Sequence, residues 1–162
     1  MNKYNHFLTS FLVLFVLFFP RISLIEIIMF SYIFGVFLDK NQKIGKYLKK
    51  PEHHRRTWIE EPFGFLLIGI PAGILLSVIR PEYFLLTVIP YGIHIIQDYL
   101  TIHEVSPLAP FSSKPIKCGF FKAMPPASWY TGEETGISEK YVLFVNIALL
   151  VLILLHISQY PV

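Results

Sequence analysis

The chain is predicted to be all-α, a polytopic membrane bundle of about five transmembrane helices, and three observations predict it. First, 54% of its 162 residues are hydrophobic and only 15% are charged, with a mean hydropathy of +0.54. Soluble domains carry far more charge, so the balance points to an integral membrane protein. Second, the apolar residues gather into five stretches separated by turn signals. Third, the charges are segregated: seven of the fourteen Lys and Arg lie between Lys40 and Arg56. At this length a single domain spanning 1–162 is expected. With one cysteine, Cys118, neither an intrachain disulfide nor a CxxC zinc site can form.

The first stretch runs from His6 to Phe19. It follows Lys3 and resembles a signal peptide, but Phe18-Phe19-Pro20 offers no small-residue cleavage site, so a retained membrane helix is expected. Pro20-Arg21 marks a tight hairpin into the second stretch, Ile22 to Leu38. Proline ends one helix there and can open the next. The third stretch, Phe63 to Ile79, and the fourth, Tyr83 to Leu100, are parted in the same way by Arg80-Pro81-Glu82. The fifth, Tyr141 to Ser158, follows a polar turn at 131–136 and opens at Ser138-Glu139. A spanning helix needs about 20 apolar residues, so the first stretch is short and the third marginal.

Lysine and arginine set orientation. The basic loop 39–62 is expected in the cytoplasm, and alternation puts the N-terminus and the loop 101–140 there too. The turns at Pro20 and Pro81 and the C-terminus then face outward, with Arg21 and Arg80 as the exceptions. The segment 106–136, rich in Pro, Gly, Ser and Thr, is expected to be irregular and packed over the membrane face of the bundle. Trp58 and Trp129, with Tyr47 and Tyr130, fit an aromatic belt at the membrane surface. The expected location is the inner or plasma membrane, with lipids as partners and no nucleic acid.

Ionisable groups in or beside membrane spans are costly and are usually functional. His94 and Asp98 stand four residues apart near the end of the fourth stretch, which places both on one helix face. An imidazole and a carboxylate so placed suit zinc, manganese or iron. Alternatively, Asp98 orients a liganding histidine, or Asp98 caps or pairs locally and His94 is a buried polar residue held by hydrogen bonds. His103 is a further candidate ligand or proton carrier. Asp39, at the end of the second stretch, is either a third ligand or the polar end of a helix. In the basic loop, His53 and His54 are candidate ligands, of which one at most points inward from a helix. Arg55 and Arg56 can fork onto phosphate oxygens. Glu60 and Glu61 can ligate metal or act as a general base on water. The lysines from Lys40 to Lys50 are read as topology signals. Glu26 is expected to pair with Arg21 or to sit neutral in the bundle, outside the site. His6 and His156 are expected at the interface.

The order of these pieces resembles the predicted inner-membrane, metal-dependent hydrolases, a family that includes LexA-regulated members. Asp39, the run His53-His54-Arg55-Arg56-Thr57, the helix segment His94-Ile95-Ile96-Gln97-Asp98 with Thr101, and Pro110-Phe111 carry the resemblance, over about half the chain. The family's first motif continues Thr-His-Ser, whereas Thr57 is followed here by Trp58 and Ile59, which leaves Glu60 or Glu61 to replace a missing histidine. The resemblance implies metal-dependent hydrolysis.

The expected function is therefore that of a membrane-embedded hydrolase with a divalent metal, zinc or manganese, acting on a phosphoester or lipid head group at the cytoplasmic face. Asp39, His53 or His54, His94 and Asp98 are the expected ligands, Glu60, Glu61 and His103 the catalytic groups, and Arg55 and Arg56 the substrate holders. The alternatives are a non-enzymatic metal-binding or partner-binding membrane protein, and a small transporter relaying through Glu26, His94 and Asp98.

Overall fold

Among the described residues, five helices form where the five apolar stretches lie. The computed structural model describes residues 1–40, 57–101, 104–112, 114, 116, 118–122 and 137–159. Helix α1 is Lys3–Phe18, α2 is Leu24–Gly35, α3 is Pro62–Ser77, α4 is Glu82–Tyr99 and α5 is Lys140–Gln159. The described chain is predominantly helical, as its all-α reading requires. His53, His54, Arg55, Arg56 and His103 lie outside the described residues, as do Tyr47, Trp129 and Tyr130.

The helix ends follow from local chemistry. Asn2 caps α1 by accepting from the Tyr4 amide. Ser23 and Glu26 form a reciprocal capping box at the start of α2, each side chain bonding the other's backbone amide. Pro62 opens α3, where its missing N–H is no loss. Pro71 cannot donate within α3, and the turn just before it, Phe65–Gly69, widens to π geometry. Two short 3-10 turns, Phe37–Lys40 and Trp58–Glu60, extend α2 and precede α3.

Helix α4 packs against α1, α2 and α3, while α5 lies along α1. Successive helices run in opposite directions, so the start of α1 shares one end of the bundle with the ends of α2 and α4. The two ends differ in kind. At one, Leu14, Phe18, Ile22, Ile27 and Leu86 form an apolar core. At the other, the buried residues include the polar Asn5, His6, Ser10, His94, Gln97 and Asp98.

The apolar end is tied by a surface network. Glu26 accepts from the Tyr83 hydroxyl and stands 3.6 Å from the Arg80 guanidinium, which also donates to the Arg21 carbonyl. Glu26 is thus paired with Arg80, from a different hairpin, where the sequence suggested the neighbouring Arg21. At the polar end, the described part of the segment after α4, expected to be irregular, is held by short pairings. Val105 pairs with Ile116, Thr101 with Phe121, and two-residue strands β1 (Phe121–Lys122) and β2 (Ile137–Ser138) run parallel.

Among the described residues one helix, α5, is long and apolar enough to cross a membrane; α1 and α3 are apolar but shorter. Large apolar side chains such as Ile25, Leu75, Val78, Ile79, Phe144 and Leu152 are nevertheless exposed over α2, α3 and α5.

Candidate metal centre

One face of α1 carries Asn5, His6, Thr9 and Ser10, spaced one and four residues apart, so a single polar stripe faces inward in an otherwise apolar helix. On α4 the buried stripe runs Thr87, Tyr91, His94 and Asp98, the last two separated by one helical turn. The 3-10 turn that continues α2 swings Asp39 over the end of both stripes.

These elements bring His6, Asp39, His94 and Asp98 together, with one potential ligand atom from each lying within 4.8 Å of all the others. His6 Nε2 is 3.2 Å from Asp98 Oδ1, His94 Nε2 is 3.5 Å from Asp98 Oδ2, and His94 Nε2 is 3.7 Å from Asp39 Oδ1. The two imidazoles stack with ring centres 4.3 Å apart. Metal–ligand bonds of about 2.0–2.2 Å at tetrahedral angles separate their ligand atoms by about 3.3 Å, so the three measured spacings are already close to those of a coordination sphere. Both histidines are fully buried, whereas the Asp39 side chain retains 24% exposure, so the group opens to its surroundings on the Asp39 side.

Each imidazole is turned so that Nε2 faces the carboxylates. His94 Nδ1 lies 2.9 Å from the Gly35 carbonyl, which can only accept, so Nδ1 carries the proton and Nε2 of the neutral ring is a bare lone pair. His6 Nδ1 is 2.8 Å from Gln97 Oε1. Neither Nε2 has a hydrogen-bond partner among the described residues. Two lone pairs and two carboxylates therefore converge in a buried space. Two full negative charges within 4.8 Å of each other repel by at least about 3 kcal/mol at an effective dielectric of 20, which a cation between them would reverse. The Met1 nitrogen lies against Asp98 Oδ1. The donor set, two imidazoles and two carboxylates, suits a divalent transition ion, and the cluster can hold one.

Of the residues singled out in the sequence, Asp39, His94 and Asp98 are brought together. Glu60 is fully buried in the turn before α3, in electrostatic reach of Tyr91, whose hydroxyl donates to the Ile59 carbonyl. Glu61 holds chain segments together: one oxygen accepts from the Tyr99 hydroxyl at 2.7 Å and the other from the Ser106 amide at 3.0 Å. Neither glutamate belongs to the four-residue group. His6, expected at an interface, is instead buried at its centre. The signal for it was the polar stripe on α1, which an interfacial histidine would not need.

Compared with known proteins, the chain matches no family model, no curated protein and no solved structure.

Proposed function

We propose that this protein is a membrane-embedded, metal-dependent hydrolase whose site faces the cytoplasm. The observation that carries the metal reading is the convergence of His6 and His94 Nε2 with the Asp39 and Asp98 carboxylates, each imidazole being oriented by an acceptor on its far nitrogen. Zinc or manganese is the ion proposed, since imidazole and carboxylate together suit both. The order of motifs resembling the inner-membrane metal-dependent hydrolases supports hydrolysis, and His6 supplies the second histidine that the loop after Thr57 lacks.

The polytopic reading rests on the apolar exteriors of α2, α3 and α5, beside a polar interior confined to one end of the bundle. Large exposed apolar faces of this kind fit acyl chains as their surroundings. The concentration of lysine and arginine in 39–62 supports the proposal that the polar end lies on the cytoplasmic side of the inner or plasma membrane.

When bound, a divalent ion lowers the pKa of a water ligand toward neutrality and polarises a phosphoryl oxygen. The chain's own residues would do the rest. His6, His94 and Asp98 hold the inner side of the site, and Asp39 closes the side open to substrate. Buried Glu60, in the turn packed near that of Asp39, is the proposed proton acceptor. Arg55 and Arg56 would hold a phosphoester, such as a lipid head group.

The test is elemental analysis of the detergent-purified protein beside Asp98→Ala and His6→Ala, followed by a phosphoester panel. One or two metal equivalents lost in both variants, with turnover that depends on Glu60, supports the proposal. A wild-type protein that neither retains nor takes up metal overturns it. A second reading, a metal-binding protein without turnover, is favoured by one observation: both oxygens of Glu61 are committed to holding the fold. Stoichiometric metal with no hydrolysis would decide for it. The transporter reading has less support, because Glu26 is engaged in capping α2 and pairing with Arg80 at the far end of the bundle.

A further inference from the structure

We infer that Gln97 is a positioning residue that fixes the proton of His6 on Nδ1, and that Thr9 and Asn146 hold Gln97 in the orientation this needs. The argument starts from an atom whose role is unambiguous. Gln97 Nε2 lies 3.4 Å from the Asn5 carbonyl, which can only accept, and 2.6 Å from Thr9 Oγ1. The carboxamide nitrogen must therefore face α1, and its oxygen must face His6 Nδ1 at 2.8 Å. A carbonyl oxygen cannot donate, so Nδ1 carries the hydrogen and Nε2 of the neutral ring is left bare, 3.2 Å from Asp98 Oδ1. The opposite carboxamide orientation would set two acceptors against each other at Asn5 and would turn an N–H toward Nδ1, moving the proton to the nitrogen that faces the cluster.

The chain of bonds does not stop at α1. Thr9 Oγ1 also accepts from Asn146 Nδ2 at 2.9 Å. Asn146 is the buried residue of α5, a helix whose other described side chains are partly or fully exposed. The lipid-facing helix thus reaches the metal group through Asn146, Thr9, Gln97 and His6. Gln97 sits one residue from Asp98 on α4, so one turn of that helix supplies both a proposed ligand and the residue that orients a second. His94 provides an internal comparison. Its Nδ1 is held by the backbone carbonyl of Gly35, which no side-chain replacement at 97 removes.

The consequence for metal affinity rests on the metal reading above, but the tautomer can be measured without any metal. The experiment uses the full chain in detergent, labelled with 15N-histidine and stripped of metal. Two-bond 1H–15N correlation reads the tautomer of each ring, and His6→Gln identifies the His6 signals. In the wild type, His6 and His94 are expected in the Nδ1–H form. Gln97→Met keeps the length of the side chain but has no acceptor. It should shift His6 toward the Nε2–H form and leave His94 unchanged. It should also weaken zinc binding about 10–100-fold and alter the visible spectrum of the cobalt-loaded protein. Gln97→Glu, which restores an acceptor for Nδ1, should recover the tautomer and most of the affinity. Thr9→Val should move His6 in the same direction by a smaller amount, and it carries the test if Gln97→Met does not fold.

A wild-type His6 in the Nε2–H form, or a Gln97→Met protein with an unchanged His6 spectrum, overturns the inference whatever the metal result. A wild type with His6 as Nδ1–H that nonetheless takes up no zinc or cobalt supports the role of Gln97 and overturns the metal reading instead.

Discussion

Gly35→Ala sets two physical effects against each other, and the sign of the outcome separates them. Replacing glycine by alanine in a helix ordinarily stabilises it by about 1 kcal/mol, because less backbone entropy is lost on folding. At Gly35, however, α2 lies against α1. A Cβ there would sit 2.8 Å from Ser10 Oγ, 3.3 Å from Ser10 Cβ and 3.4 Å from the His6 carbonyl. Ordinary contact begins at 3.4 Å, so the tightest approach falls short by about 0.6 Å and the helices must part or Ser10 must rotate. Overpacking of this kind costs about 1–3 kcal/mol, which outweighs the propensity gain and leaves a net loss of about 1 kcal/mol. The same displacement acts on the metal group. The Gly35 carbonyl holds His94 Nδ1, and His6 lies on the helix being pushed away. With cluster spacings of 3.2–3.7 Å already at the edge of a coordination sphere, metal affinity should fall about tenfold or more, because ligand groups must stay within about 0.5 Å of productive geometry. Denaturant unfolding in detergent and zinc titration against a competing chelator read the two effects. Ser10→Ala removes the tightest contact, so combined with Gly35→Ala it should recover much of both, with a coupling energy of about 1 kcal/mol. A Gly35→Ala protein that is more stable than wild type and binds zinc equally well would refute the packing argument.

Other outcomes follow from the same geometry. His6→Ala should lose bound metal as completely as His94→Ala, which elemental analysis checks; a His6 variant with full metal occupancy would return that residue to a packing role. Glu61→Ala breaks two hydrogen bonds that tie α4 and the following segment to the turn before α3, and should lower stability by about 1–3 kcal/mol while metal stays bound. Ser23→Ala removes the cap of α2 at the opposite end of the bundle; it should cost about 1 kcal/mol and leave zinc affinity unchanged. Zinc at a hundred times its dissociation constant should stabilise the wild type by about 2.7 kcal/mol against unfolding, an increment that chelation and His94→Ala both abolish.

Much of the fold could be read along the chain. Apolar runs and the prolines at 20 and 81 act within a few residues, and they locate five helices close to their observed limits. His94 and Asp98 were legible for the same reason, since one helical turn brings them to one face whatever surrounds them. Asp39 was legible as the polar end of an apolar run. His6 was not, because its role depends on which helix its stripe meets. The pattern Asn5, His6, Thr9 and Ser10 announces a buried polar face on α1 without naming the partner. The Glu26 pair failed in the same way: Arg21 is near in sequence, but the antiparallel packing of two hairpins delivers Arg80.

Read along the chain alone, the residues give the helices, their polar and apolar faces, and three of the four groups that can hold a metal. Those follow from periodicity, capping and turn chemistry, which are local. It took the packing of the helices to show that α1 and α4 meet polar face to polar face, that Gly35 lets α2 close on Ser10, and that Gln97 lies against His6 beside Asp98. These depend on contacts between residues 25 to 92 positions apart, and no local rule specifies them.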